Sequence, residues 1–198
     1  MEELHILSAE EKKLILNSIE TNCKMVLPGE KSELDPVTVH IYQKEHHQDV
    51  HDCRVFQIRW GMHKIFQFKH LPESTDAKTE DTLSQIIKKN CSKIKNALLE
   101  HCQEILSDNI TLQLEPELNR RNLFISSYTF KVCSTRKRNT HETNHGWPNF
   151  CLFLSWIDDT GEFQEFIHPL PFDELEKQFV ITPHEIIDQF VKYRDAQF

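Results

Sequence analysis

The sequence predicts an α+β fold in which one or more antiparallel sheets, of about seven strands in all, are packed by one long central helix plus N- and C-terminal amphipathic helices. Three observations carry this expectation. Segments rich in β-branched and aromatic residues follow one another through tight turns, which suits antiparallel pairing because a parallel pair needs a long crossover. From about Glu80 to Leu106, apolar residues recur at three- and four-residue steps, the spacing of one helix face. Near each end a helix-start signal stands in front of an apolar stripe. With 198 residues and 38% hydrophobic content, the chain is long enough for a full core and is expected to form a single domain over 1–198.

Each element has its own reason. "SAEEKKLILNSIETNCKMV" places Ser8 three residues before Glu11, the spacing of a capping box. Leu14, Ile15, Ile19 and Val26 give that helix its stripe, and Pro28 and Gly29 end it. "VTVHIYQ", "CRVFQIRW" and "HKIFQFKHL" read as three antiparallel strands, the last two joined by the hairpin "RWGMHK". In the long helix Leu83, Ile86, Ile87, Cys91, Ile94, Leu98, Cys102 and Ile105 make the stripe, with Lys88, Lys89, Lys93 and Lys95 largely off it. "NITLQLE", "NLFISSYTFKVC", "NFCLFLSWI" and "EFQEFIHPL" are expected as further strands, the last two meeting at the turn "DDTGE". "FCLFLSWI" is apolar on both faces, which predicts a central strand covered by the long helix. A short helix is expected next, then a final one in "TPHEIIDQFVKYRD", with Thr182 as cap, Pro183 at its first position and Glu185 closing a capping box over Ile186, Ile187, Phe190 and Val191.

Composition removes several function classes. Charged residues make up 27% and the formal net charge is -8, so the average field repels nucleic acid and anionic membranes and argues against a dedicated nucleic-acid binder. No apolar run of about 18 residues offers a membrane span, and the opening "MEELHILSAEEKK" is acidic where a secretory signal is basic and then apolar. The expected compartment is cytoplasmic. Cys23, Cys53, Cys91, Cys102, Cys133 and Cys151 are scattered, as expected of reduced and mostly buried thiols. Gly29, Gly61, Gly146 and Gly161 each stand alone, which excludes the clustered glycines of a phosphate-cradling loop.

Two polar stretches hold the residue types that do chemistry. "KEHHQDVHDC" sets His47 and His51 four apart, with His46 and Cys53 as further donors, so His46, His47, His51 and Cys53 are candidate zinc ligands. No second paired half follows at fixed spacing, and a solvated loop is the simpler reading. Protonating all twelve histidines would turn the charge of -8 positive, which makes an acid sensor conceivable only in an acidic compartment. "CSTRKRNTHETNHGWPNF" gathers Arg136, Lys137 and Arg138 as a cation cluster with Trp147 as a stacking surface, a candidate binding set. His141 and His145 are candidate catalytic proton carriers, with Glu142 to orient an imidazole, and Cys133 or Cys151 beside His145 is a conceivable nucleophile pair. A charged loop that only keeps the protein in solution is the bland alternative.

Without a glycine loop, paired metal spacing or an acid-base pair, the expected function is a non-enzymatic interaction module. Such a protein (adaptor, inhibitor or chaperone-like) would bind another protein through a sheet face or the loop from Ser134 to Pro148. The alternative is a small histidine-dependent hydrolase or phosphoryl-handling enzyme, for which zinc is the one cofactor the residues allow.

Overall fold

In a computed structural model of the chain, the first helix starts where the capping box places it. The Ser8 hydroxyl accepts from the Glu11 backbone N–H at 3.1 Å, while the Glu11 carboxylate accepts from the Ser8 N–H at 3.1 Å. The structure describes residues 8–29, 32, 34–44, 53–70, 78–121, 123, 129–134, 144–158 and 160–196. In chain order these form α1 (Ala9–Cys23), β1 (Val37–Lys44), β2 (Cys53–Trp60), β3 (His63–His70) and α2 (Lys78–Arg120). Then come β4 (Thr129–Ser134), β5 (Phe150–Ile157), β6 (Phe163–Leu170), the short β7 (Phe172–Asp173) and β8 (Gln178–Phe179), and α3 (Pro183–Asp195). The expected α+β class, with antiparallel sheets, a long helix and a helix near each end, is what the chain adopts; the eight strands among the described residues fall into three small sheets, β1-β2-β3, β4-β5-β6 and β7-β8.

The chain divides into two compact units. The first comprises Met1–His101 with Asn144–Gly146 and Glu174–Gln178. Its sheet buries one face by alternation along β1, while β2 buries both Val55 and Phe56. Val37, Val39 and Ile41 of β1 stand opposite Trp60, Ile58 and Phe56 of β2, and Phe56 in turn opposes Phe68 of β3, with their rings stacked at 5.0 Å. The other face presents the polar Thr38, His40, Gln57 and Gln67. Helix α1 contributes Ile15, Ile19 and Cys23 to the core and meets α2 through a Ser18–Ser84 hydroxyl hydrogen bond of 3.3 Å and the Cys23 thiol donating to the Cys91 carbonyl at 3.6 Å. Lys24, in the left-handed conformation at φ 50, ends the helix two residues before Val26, so Val26 is only half-buried and lies outside the stripe assigned to it.

The second unit comprises Cys102–Thr143, Trp147–Asp173 and Phe179–Phe198. β5 is its central strand, as its two-sided apolar pattern predicts, with Phe150, Leu152, Leu154 and Trp156 buried on the inner face. α2 ties to the sheet where the Val132 backbone N–H donates to the Ser107 hydroxyl at 3.2 Å. α3 packs edge-on, with Phe190 against Trp156 at 5.1 Å and Phe166 at 5.8 Å. Asp158 closes the β5–β6 turn by accepting from the Thr160 hydroxyl, the Gln164 amide and the Glu162 N–H, and these hold its carboxyl at about 2. No helix among the described residues is long and apolar enough to cross a membrane.

Three expectations are corrected. "NITLQLE" is not a strand, because α2 continues through it to Arg120. Its alternating Ile110, Leu112 and Leu114 mimic a strand, yet Leu112 is 73% exposed and the buried series is Ile110, Leu114, Leu118, a helical spacing. The short helix expected before α3 is instead the turn between β7 and β8: Leu175 is 94% exposed, so the segment has no stripe to bury, and Lys177 takes a positive φ of 50. At α3, the Thr182 hydroxyl donates to the Glu185 carboxylate at 3.2 Å, so the side chains bond one another and the backbone cap is not made.

Where α2 ends, the Glu117 carboxylate accepts from Arg120 at 2.7 Å and Arg121 at 2.6 Å and lies 3.2 Å from His184 Nδ1 on α3; Arg121 also pairs with Asp188. The Arg120 hydrogen bond first, then those of Arg121 and His184, pull the Glu117 carboxyl from 4.5 to about 2. A depressed carboxylate stabilises the fold above its unfolded pKa and loses that contribution as pH falls through the folded value. Glu117→Gln is therefore expected to lower the thermal midpoint near neutrality and to flatten its fall between about pH 4.5 and about pH 2. An unchanged slope in that window, read by circular dichroism, would remove the network from the stability of this unit.

Two glycines make a matched test of backbone constraint. Gly146 (φ +76) and Gly161 (φ +85) are both left-handed, but a Cβ at Gly146 would lie 2.0 Å from the Lys24 carbonyl oxygen, whereas at Gly161 nothing lies within 4 Å. Gly161→Ala is expected to cost about 1–2 kcal/mol, the conformational penalty alone. Gly146→Ala is expected to cost several times more or to prevent folding, because the obstacle is backbone; equal urea midpoints for the two variants would refute this contact.

Candidate functional site

The first unit contains a cleft of about 530 Å³ between α1 and β1. Val37, Thr38, Val39 and His40 form one wall. Successive strand residues point to opposite faces, so four in a row line a cleft only if it runs along the strand's edge. β1 pairs with β2 alone among the described residues, which leaves that edge as the wall. The apolar lining comes from Leu16 of α1 and from Leu27 and Pro28, where the chain leaves the helix.

Cations gather around this lining. Lys12 and Lys13 lie on α1 and Lys177 comes from the β7–β8 turn, which is held here by the Gly29 N–H donating to the Lys177 carbonyl at 2.9 Å. Glu20 is the one carboxylate of the lining among the described residues, and it is engaged: its Oε1 accepts from the Leu27 N–H at 3.0 Å and pairs with Lys177 Nζ at 3.2 Å. His40 Nε2 lies 3.1 Å from the Thr38 hydroxyl. Burial, then Arg59 and Lys12, push the His40 imidazole below its usual 6.5, so at neutral pH it is an uncharged hydrogen-bonding group. An apolar lining with a few convergent polar groups, in a volume of this size, is the ordinary composition of a binding cleft.

The second unit shows a different surface. On the outer face of β4-β5-β6, Ile157 opposes Phe163 and Phe153 opposes Ile167, with Phe163 69%, Ile167 52% and Ile157 48% exposed. Lys131 opposes Phe153 and Glu165 opposes Ser155 on the same face, so this row carries one charge of each sign among the described residues, whereas the cleft gathers three lysines.

Of the residues singled out from the sequence, His46, His47 and His51 lie outside the described residues, and Cys53 is described only as the first residue of β2. Arg136, Lys137, Arg138, His141 and Glu142 also lie outside them. His145 is half-buried in the first unit; its carbonyl accepts from the Val26 N–H at 2.9 Å, and burial pushes its imidazole down while Glu174 opposes that shift. Trp147, two residues on, belongs to the second unit, where it is 1% exposed and set edge-on to Phe179 at 5.5 Å. Its ring is used in packing. Cys133 and Cys151 oppose one another across β4 and β5 as free thiols. Burial pushes Cys102 up and, with Cys91, raises Cys23 to about 11, so both are inert thiols.

A histidine pair also emerges that the sequence did not single out. His63, at the start of β3, and His101, on α2, have ring centroids 4.7 Å apart. Thirty-odd residues of intervening chain hide this pairing from any local motif. No protein-family description, curated protein or solved structure matches this chain, so its site is read from its own residues.

Proposed function

We propose that this protein is an interaction module whose first unit takes an extended, acidic segment of another protein along the edge of β1 that no other described strand pairs. The observation that carries this reading is the cleft wall, built from four consecutive residues of an edge strand under a helix. An extended segment lying there adds a strand, with main-chain hydrogen bonds for affinity and alternate side chains directed to the apolar lining. At about 3.3 Å per residue the four wall residues span about 13 Å, room for four or five residues of a partner. Lys12, Lys13 and Lys177 give the local field a sign opposite to the chain's net -8, which favours carboxylates on that segment and sets its orientation.

The hydrolase alternative has less support, since of His141, Glu142 and His145 only His145 is among the described residues, and its imidazole is half-buried beside structural contacts.

A display library of random linear peptides, selected on the full chain, tests the proposal. Enrichment of Asp and Glu among alternating apolar residues is expected. Selected peptides should lose about tenfold or more in affinity on Lys12→Glu with Lys13→Glu. Amide exchange should slow at Val37 to His40 when they bind. Peptides with no acidic preference, or binding untouched by the lysine reversals but lost on Phe163→Ser, would transfer the function to the outer face of the second sheet and overturn this reading.

A further inference from the structure

We propose that His63 and His101 together bind a divalent transition-metal ion of the zinc class. His63 follows the tight Gly61–Met62 turn and opposes Trp60 in the β2–β3 register. Cross-strand partners share a face, and Trp60 is 0% exposed, so His63 is directed to the inner side of the sheet. There its ring meets that of His101 at 4.7 Å with a tilt of 40°, neither stacked nor edge-on, and a ligating nitrogen of each lies within 4.8 Å of the other.

The donor set selects the ion. Two imidazole nitrogens suit zinc and its neighbours, whereas magnesium and calcium take oxygen shells. With zinc–nitrogen bonds of 2.0–2.1 Å, tetrahedral ligand atoms stand about 3.4 Å apart, so closure asks the side chains to move by about 1 Å. His63 and His101 are both half-buried. Two protein ligands leave the other tetrahedral positions for water or for an external donor. The bound ion would clamp the β2–β3 hairpin to α2.

Zinc titrated into the full chain against a chromophoric chelator tests this, with cobalt as a spectroscopic substitute. One tight equivalent is expected, with the visible band of a tetrahedral nitrogen- and oxygen-ligated cobalt ion. His63→Ala and His101→Gln should each remove the tight phase. Replacing His46, His47 and His51 together by alanine should leave it in place. In the unmodified chain, zinc should shift the imidazole proton resonances of His63 and His101, a readout that does not depend on variants folding. Absence of a tight equivalent, loss only in the triple variant, or unmoved His63 and His101 resonances would overturn the assignment.

Discussion

The buried stripe of α2 is the constraint on which the rest depends. Leu83, Ile87, Ile94, Leu98, Cys102, Leu106, Ile110, Leu114 and Leu118 are all buried, most of them completely, in one unbroken helix. Truncating any one of the leucines or isoleucines to alanine belongs to the class of changes that cost about 2–5 kcal/mol. The helix has no independent reason to be this long, since intrinsic propensity is weak and packing supplies most helical stability. Each unit must therefore give its part of the stripe an apolar face, and each sheet does so by alternation: Val37, Val39 and Ile41 in the first, Leu152, Leu154 and Trp156 in the second. Four-residue steps on a 3.6-residue helix advance the buried face by about 40° each time, so the stripe winds and is not a straight seam.

How the ends of α1 are held explains why the first unit has a cleft. Its start is fixed by the Ser8–Glu11 box and its end by the left-handed Lys24, after which the Val26 N–H is held by the His145 carbonyl and the Gly29 N–H by Lys177. These bonds place Leu27 and Pro28 as a fixed lining and bring Lys177 to Glu20. A binding surface supported on such fixed elements needs little reorganisation before it meets a ligand. Gly146 lies against the Lys24 carbonyl at a distance that admits no side chain, so the same contacts explain a glycine at that position.

Much of this architecture is legible in the residues because local signals and tertiary packing agree. The Ser8 box, the β1, β2 and β3 patterns, the two-sided apolar β5 and the Pro183 start of α3 each name the element that forms. Legibility fails where two periods share the same residues, as at Ile110, Leu112 and Leu114, where only the exposure of Leu112 decides for helix. The candidate site was hidden for another reason. A cleft lined by α1, β1 and a lysine from far along the chain has no contiguous motif, and neither has His63 beside His101. Trp147 drew attention by its polar neighbours, yet Phe172 and Phe179 enclose it. Sequence neighbourhood says little about an aromatic side chain that leaves a loop for a core.

The register of the first sheet connects the two sites proposed in this unit. Val37 lines the cleft and opposes Trp60; Trp60 opposes His63. One cross-strand row thus runs from the cleft edge to the histidine pair over two strand spacings, about 10 Å. Its middle member, Trp60, is fully buried, and close-packed interiors yield little to a displaced side chain. A strand added beside β1 and an ion held at β3 would therefore act on opposite ends of the same rigid row. Any difference that one made to the placement of Trp60 would be felt by the other with the same free energy, because coupling between binding sites is reciprocal.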